Sequence, residues 1–214
     1  MGYGDHLPEV GALAHARLEA RHEAREAALT ASRASIRASA NAIRAAHRGE
    51  NDTAGGGVEE AGAHLRIAIE ATDGLPMIRW AGFVHDAEKE YAEASCTLAV
   101  LSGKPLPGPD DLGVDVTAWL NGVAETVGEL RRYLLDQLRH GRMERCEELL
   151  ATMDDIYSML VTIDFPDGIT SGLRRSTDVA RSILERTRGD FTTAHLQERL
   201  REALDAHRSD LLDS

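Results

Sequence analysis

The sequence predicts an all-α protein, and three observations support this fold class. Alanine, leucine, glutamate and arginine dominate the 214 residues, whereas aromatic residues make up only 4%. Between turn-rich breaks, apolar residues recur at alternating steps of three and four, which is the spacing of one helix face. No stretch alternates apolar and polar residues for long enough to predict a strand. We expect one domain over 1–214, with flexible ends at 1–7 and 210–214.

Seven helices follow from these breaks, which lie at 49–57 (glycine-rich), 72–76, 102–113 (three prolines) and 165–172. The predicted helices span 8–48, 58–72, 76–102, 115–140, 142–163, 171–188 and 191–209. Asp115 and Ser171 are candidate N-caps, and Gly141 and Gly189 are candidate stops. The first helix, at about 40 residues, is too long to be buried in a small monomer, so we expect it to pack against another subunit.

Apolar stripes on the central helices predict their buried faces, as in a helix bundle. The stripes consist of Trp80, Val84, Ala87, Tyr91, Ala94, Leu98 and Leu101; of Val116, Leu120, Val123, Val127, Leu130 and Leu134; and of Cys146, Leu149, Met153, Ile156, Leu160 and Ile163. Cys96 and Cys146 lack the spacing of a metal or redox motif. We expect both to be small core residues.

The formal net charge is −12, and of the 24 basic residues only Lys89 and Lys104 are lysine. This acidic, arginine-rich composition is typical of adaptation to a high-salt cytoplasm, which suggests a halophilic source. The negative charge is then a background property and does not exclude nucleic acid as a ligand. No signal peptide or run of about 20 apolar residues is present, so we expect a cytoplasmic protein that does not span a membrane.

Residues 27–48 form a positively charged segment, with four arginines and no acidic residue. Arg33, Arg37, Arg44 and Arg48 fall within roughly a 60° arc of the predicted helix. Arginines in this arrangement can follow a phosphate backbone or stack on unpaired bases. The simpler interpretation is a solvated face paired with acids of a neighbouring helix, and the spacing alone leaves both interpretations open.

Two pairs of glutamates lie about one turn apart on successive predicted helices. Glu90 and Glu93 belong to the segment EKEYAEAS, and Glu125 and Glu129 to NGVAETVGELRRYLL. Four carboxylates from two antiparallel helices would suit Mg²⁺ or Mn²⁺, which prefer oxygen ligands and can lower the pKa of a bound water. Glutamates opposite an apolar stripe are usually only solvated, however, and periodicity does not decide between these interpretations. A ferritin-like site needs two E-x-x-H motifs, and Glu19 with His22 supplies one.

Four segments resemble the translin/TRAX family, and the TRAX-type catalytic subunit more than translin. DVTAWLNGVAETVGELRRYLL (115–135) resembles the family signature V-D-Y-L-x-G-V-A-D-L-T-G-E-L, and KEYAEA (89–94) resembles Q-E-Y-V-E-A. SRASIRASANAIRAAHR (32–48) is similar to the TRAX first helix. LRRSTDVARSILERTRGDF (173–191) resembles the segment before the family's R-G-F end. The similarity covers most of 27–191.

This resemblance implies a metal-dependent endoribonuclease that hydrolyses single-stranded RNA inside a closed, hollow homo-oligomer, with an octamer expected. Its Mg²⁺ or Mn²⁺ ligands and catalytic residues would be Glu90, Glu93, Glu125 and Glu129, where Glu125 replaces the usual family aspartate. The nucleic-acid-binding arginines would be Arg33, Arg37, Arg44 and Arg48, with single-stranded DNA as a second candidate ligand. The alternatives are a non-catalytic, translin-like binding oligomer and a structural helical protein without nucleic-acid affinity.

Overall fold

The computed structural model describes Gly4 and residues 6–212, and within this part of the chain it contains helices and no strand. Of the flexible ends expected at 1–7 and 210–214, residues 1–3, 5, 213 and 214 lie outside the described residues. The helices are α1 (Leu7–His47), α2 (Asn51–Glu70), α3 (Pro76–Arg79), α4 (Phe83–Leu101), α5 (Pro109–Leu112), α6 (Val116–Arg139), α7 (Met143–Val161), α8 (Asp167–Thr170) and α9 (Leu173–Leu212). The predicted all-α class is confirmed. No helix among the described residues is both long and apolar enough to cross a membrane.

The chain divides into two compact units, Met1–Gly122 and Val123–Ser214. In the first unit, α1 packs on α2 and α4 through small residues. The Ser35 hydroxyl donates a hydrogen bond of 2.9 Å to the Ala61 carbonyl. A Cβ added at Gly57 would lie 3.0 Å from the Ala42 Cβ, and one added at Gly62 would lie 2.9 Å from the Tyr91 Oη. Small side chains at these positions therefore allow the helices of the first unit to approach closely.

The second unit is held by leucines and methionine of α6, α7 and α9. Its largest fully buried side chains are Leu130, Leu134, Leu149, Met153, Leu160 and Leu173. Arg131 of α6 donates hydrogen bonds to the Thr187 hydroxyl (2.9 Å) and the Asp190 carboxylate (2.8 Å) on α9. The Arg188 guanidinium lies 2.7 Å from the Asp154 carboxylate of α7. These contacts fix α6 and α7 against the middle of α9.

Both cysteines are buried, as predicted. Burial raises the pKa of the Cys96 thiol to about 12. The thiol therefore stays protonated at neutral pH, and Cys96 contributes to packing rather than to chemistry.

The predicted count of seven helices was wrong, because nine occur among the described residues. The glycine-rich segment predicted as a loop begins α2 at Asn51. The helix predicted over 76–102 is interrupted at Gly82, where φ is 97°. The two helices predicted after residue 170 form the single α9, so Gly189 is not a stop, and Ser171 is the left-handed C-cap residue of α8 rather than an N-cap.

The predicted apolar stripes are buried along most of their length, and the first residues of two of them are exceptions. Trp80 is 62% exposed and Val116 is 53% exposed. Trp80 is the C-cap residue of α3 and precedes the break at Gly82, and Val116 is the first residue of α6. Each therefore lies at a helix end, where the face that is buried further along the chain is still open.

Candidate functional site

Glu90 and Glu93 lie together on α4, one turn apart on a helix that is mostly buried. One carboxylate oxygen of each lies within 4.8 Å of the other. Both residues are partly buried. The Lys89 ammonium lies 3.5 Å from the Glu90 carboxylate, and the two side chains are 22% and 29% exposed. This pair therefore differs from the solvated glutamates that a surface face would carry.

The α4 segment that carries these glutamates contacts the start of α6 at Gly122. A Cβ added at Gly122 would lie 2.6 Å from the Lys89 carbonyl oxygen, 2.9 Å from the Ala92 Cβ and 3.0 Å from the Glu93 backbone nitrogen. No larger side chain fits at position 122 without displacing backbone. Gly122 thus sets the distance at which the α6 backbone passes the α4 glutamates.

Glu125 and Glu129 follow Gly122 on the same continuous helix, three and seven residues later. These spacings place the three positions on one face of α6. Glu125 and Glu129 are both partly buried. The Glu129 carboxylate lies 3.7 Å from the guanidinium of Arg132, whose side chain is 61% exposed. The helix face that meets α4 at Gly122 therefore continues into the second glutamate pair.

A buried ion pair anchors the start of α6 against α4. Glu88 is fully buried, and its carboxylate accepts hydrogen bonds from both terminal nitrogens of Arg79, at 2.5 and 3.3 Å. It also accepts a 3.3 Å hydrogen bond from the Asp115 backbone N–H. Glu88 therefore connects α3, α4 and the residue that precedes α6.

Asp115 caps α6 as the sequence predicts. Its carboxylate accepts hydrogen bonds from the Thr117 backbone N–H (2.8 Å) and hydroxyl (2.5 Å). Burial by itself raises the pKa of this carboxyl, but hydrogen bonds from Thr117 and Ala118 and the nearby His85 outweigh it, so the pKa is lowered. The Thr117 hydroxyl also lies 3.1 Å from the His85 Nε2. This network gives His85 a structural contact at the α4–α6 junction.

All four predicted arginines are exposed, three of them on α1 and Arg48 as its C-cap residue. Arg33 and Arg37 make no ion pair or side-chain hydrogen bond within the described part of the chain. Arg44 donates a 2.6 Å hydrogen bond to Asn41, and Arg48 forms an ion pair of 2.6 Å with Glu50, both close in sequence. Among the described residues, Arg48 thus pairs with the N-cap residue of α2, whereas the other three arginines pair with no acid on a neighbouring helix.

Sequence reasoning did not identify Lys89 and Gly122 as parts of this region. Lys89 could have been found because it is one of two lysines and adjoins Glu90. Gly122 lies in the quoted motif, but no local signal distinguishes a close-contact glycine from any other helical glycine. Its role depends on the crossing of two helices that are distant in sequence.

Comparisons with known proteins show that the fold of this chain is similar to that of C3PO structures. The chain is similar to the crystal structure of AfC3PO, from Archaeoglobus, with a TM-score of 0.80 and 35% identity over 86% of this chain and 96% of that chain. A structure of AfC3PO in complex with duplex RNA matches with a TM-score of 0.68 and 36% identity over 86% and 95%. The crystal structure of apo-NeC3PO, from Nematostella, has a TM-score of 0.78 over 87% and 97%, and its 21% identity shows the fold alone.

Sequence comparisons give a more limited result. No protein-family model matches the chain. The uncharacterized protein MJ0175 of Methanocaldococcus jannaschii is 29% identical over 124 residues, which are 58% of this chain and 55% of that protein. The match thus spans about half the length of this curated relative.

Proposed function

The chain belongs to the translin/TRAX family, to which the matching C3PO structures belong, and on this premise we propose that it is a metal-dependent endoribonuclease acting on single-stranded RNA. Glu90, Glu93, Glu125 and Glu129 would hold the metal, and the arginines of α1 would hold the RNA. The observation that carries the proposal is the carboxylate pair of Glu90 and Glu93 on the α4 segment that Gly122 approaches.

The donor set of these four residues fits Mg²⁺ or Mn²⁺. It consists of carboxylate oxygens alone, which hard divalent cations prefer over nitrogen or sulfur. Partial burial of all four side chains supports this role, because it reduces the screening of their charge by water. When bound, such a cation would polarise the scissile phosphate and lower the pKa of an attacking water.

The arginines of α1 would provide the RNA contact, independently of the metal. Arg33 and Arg37 are exposed and have no intramolecular ion pair among the described residues, so their charge is available to phosphate. Arg48 is engaged by Glu50 and would have to exchange that partner. We therefore assign the larger part of the RNA affinity to Arg33 and Arg37.

We also propose a preference for single-stranded over duplex RNA. A neighbour at 36% identity forms a complex with duplex RNA, which supports RNA binding by this chain as well. We propose cutting of flexible single strands, because an enclosed site would admit them more readily than long duplexes. Single-stranded DNA is the second candidate ligand. Because DNA lacks the 2′-hydroxyl, comparing its binding with that of RNA tests whether the sugar contributes to recognition.

We also propose a closed homo-oligomer, with eight subunits expected. The first half of α1 supports assembly, since it exposes large apolar side chains. These include Leu7, Val10, Leu13 and Leu18, each more than half exposed. Light scattering coupled to size exclusion would give the subunit number directly.

The test is a cleavage assay on a labelled single-stranded RNA with Mn²⁺ or Mg²⁺ against EDTA. The same RNA annealed to its complement and a DNA of the same sequence are run in parallel. We expect metal-dependent cutting that is faster on the single-stranded RNA than on the duplex or the DNA. Binding without cutting under either metal would replace it with the non-catalytic, translin-like binder.

A further inference from the structure

Lys89 is an unusual residue for its position. Of the 24 basic residues, only Lys89 and Lys104 are lysine. Lys104 is exposed in the loop after α4, whereas the Lys89 side chain is 22% exposed. The Lys89 ammonium lies 3.5 Å from a carboxylate oxygen of Glu90. A partly buried positive charge therefore adjoins one of the carboxylates to which we assign metal binding.

The Lys89–Glu90 ion pair is more buried than the ion pair between Arg132 and Glu129. Arg132 lies 3.7 Å from Glu129, but its side chain is 61% exposed. Exposed ion pairs are screened by water and salt and contribute little energy. The charge of Lys89 should therefore act on Glu90 more strongly than that of Arg132 acts on Glu129.

We propose that Lys89 is an internal counter-ion of Glu90 that competes with a divalent cation for this carboxylate and so lowers the metal affinity. The inference rests on the proposed function, because it takes Glu90 as a metal ligand. A lysine suits this role since its compact ammonium sits on a flexible four-carbon stem and can move away. A released ammonium would then be available to an RNA phosphate.

The expected effect has a definite sign. Lys89→Gln removes the competing charge while keeping a side chain of similar length, so it should tighten Mn²⁺ binding. We expect about a tenfold change, the scale on which a charge 4–6 Å away alters the proton affinity of a carboxylate. Lys89→Arg keeps the charge and should bind Mn²⁺ within about threefold of the wild type. Lys104→Gln is the matched control, because it removes the same charge from an exposed site.

The experiment is calorimetric titration of Mn²⁺ into the EDTA-treated, dialysed full-length protein and these three variants, beside Glu90→Gln. Thermal unfolding in EDTA establishes that each variant is folded. Tighter binding by Lys89→Gln alone supports the inference. Equal affinity of Lys89→Gln and Lys104→Gln, with binding weakened in Glu90→Gln, would overturn the inference and leave the metal site in place. If neither the wild type nor Lys89→Gln binds Mn²⁺, the metal site and the inference are both wrong.

Discussion

The α6 backbone at Gly122 lies directly on the α4 backbone at Lys89, where an added Cβ would come 2.6 Å from the Lys89 carbonyl oxygen. This distance is shorter than real side-chain carbons tolerate, and the atom it meets is backbone rather than a movable side chain. The two helices can therefore cross at this distance only with glycine at position 122. Glu90, the first glutamate of the candidate site, directly follows Lys89, so this crossing lies beside that site.

Gly122→Ala is predicted to destabilise the protein. The added methyl group has to push α4 and α6 apart, and overpacking of this kind typically costs about 1–3 kcal/mol. Urea unfolding followed by circular dichroism measures the change. Gly56→Ala is the control, since nothing lies within 4 Å of its added Cβ in α2. That variant should be more stable by up to ~1 kcal/mol, because alanine favours helix. Unfolding of Gly122→Ala at the wild-type midpoint would contradict the assigned contact.

Glu88→Gln is predicted to lower the free energy of unfolding by roughly 3 kcal/mol, because it leaves the Arg79 charge without its buried partner. Glu148→Gln, which removes an exposed ion pair with Arg145, should change stability by less than about 1 kcal/mol. The comparison uses the same urea titration. Similar effects of the two substitutions would show that Glu88 does not anchor α3 and α6 as the geometry indicates.

The lowered pKa of Asp115 predicts a pH-dependent contribution to stability. A carboxylate whose pKa is lower in the folded state stabilises the fold above its unfolded pKa of about 4, and this contribution is lost as the pH falls through the folded value. Asp115→Asn keeps a capping oxygen but removes the negative charge, so it should cost about 0.3–1 kcal/mol at pH 6, as for a charge lost at a helix N-terminus, and much less near pH 2.5. Urea midpoints at the two pH values test this, and an equal difference at both would contradict the assignment.

Arg33→Gln and Arg37→Gln are each predicted to weaken RNA binding. Loss of one phosphate contact should reduce the slope of log affinity against log salt by about 0.7 for a single strand. Arg48→Gln should have a smaller effect, since Glu50 already neutralises that charge. Arg175→Gln, an exposed arginine of α9, serves as the control for net charge. Fluorescence anisotropy at several salt concentrations gives the slopes, and equal losses in the four variants would contradict a specific α1 surface.

Much of the fold could be predicted from the periodicity of apolar residues. Where the observed helices differ from the predicted ones, the difference has an identifiable physical cause. The glycine-rich segment was predicted as a loop because glycine disfavours helix. In the structure Gly57 and Gly62 allow α1 and Tyr91 to pack closely on α2, and tertiary contact outweighs local propensity. Gly189 was predicted to end a helix, but α9 continues through it between Arg188 and Asp190, which bond to α7 and α6.

The residues of the candidate site could be predicted from the sequence, but their function could not be predicted from spacing alone. The one-turn spacing of Glu90 and Glu93 and the helical face of Glu125 and Glu129 came from the sequence directly, whereas their function came from the family resemblance. Partial burial of these side chains could not be inferred, because glutamates opposite an apolar stripe are normally solvated. The role of Lys89 could not be inferred from the sequence either, because the strength of its charge depends on the low exposure of its side chain, which only the structure shows.

The most direct test of the central claim compares Glu129→Gln with Asp136→Asn, two isosteric losses of charge on α6. Asp136 is 47% exposed and lies beyond the glutamate pair on the same helix. Cleavage of single-stranded RNA is measured with Mn²⁺, and RNA affinity is measured in EDTA. We predict that Glu129→Gln reduces cutting to the level of the EDTA control while its RNA affinity stays within about twofold of the wild type. Asp136→Asn should cut at the wild-type rate. Wild-type cutting by Glu129→Gln would contradict the assignment of the carboxylates as metal ligands.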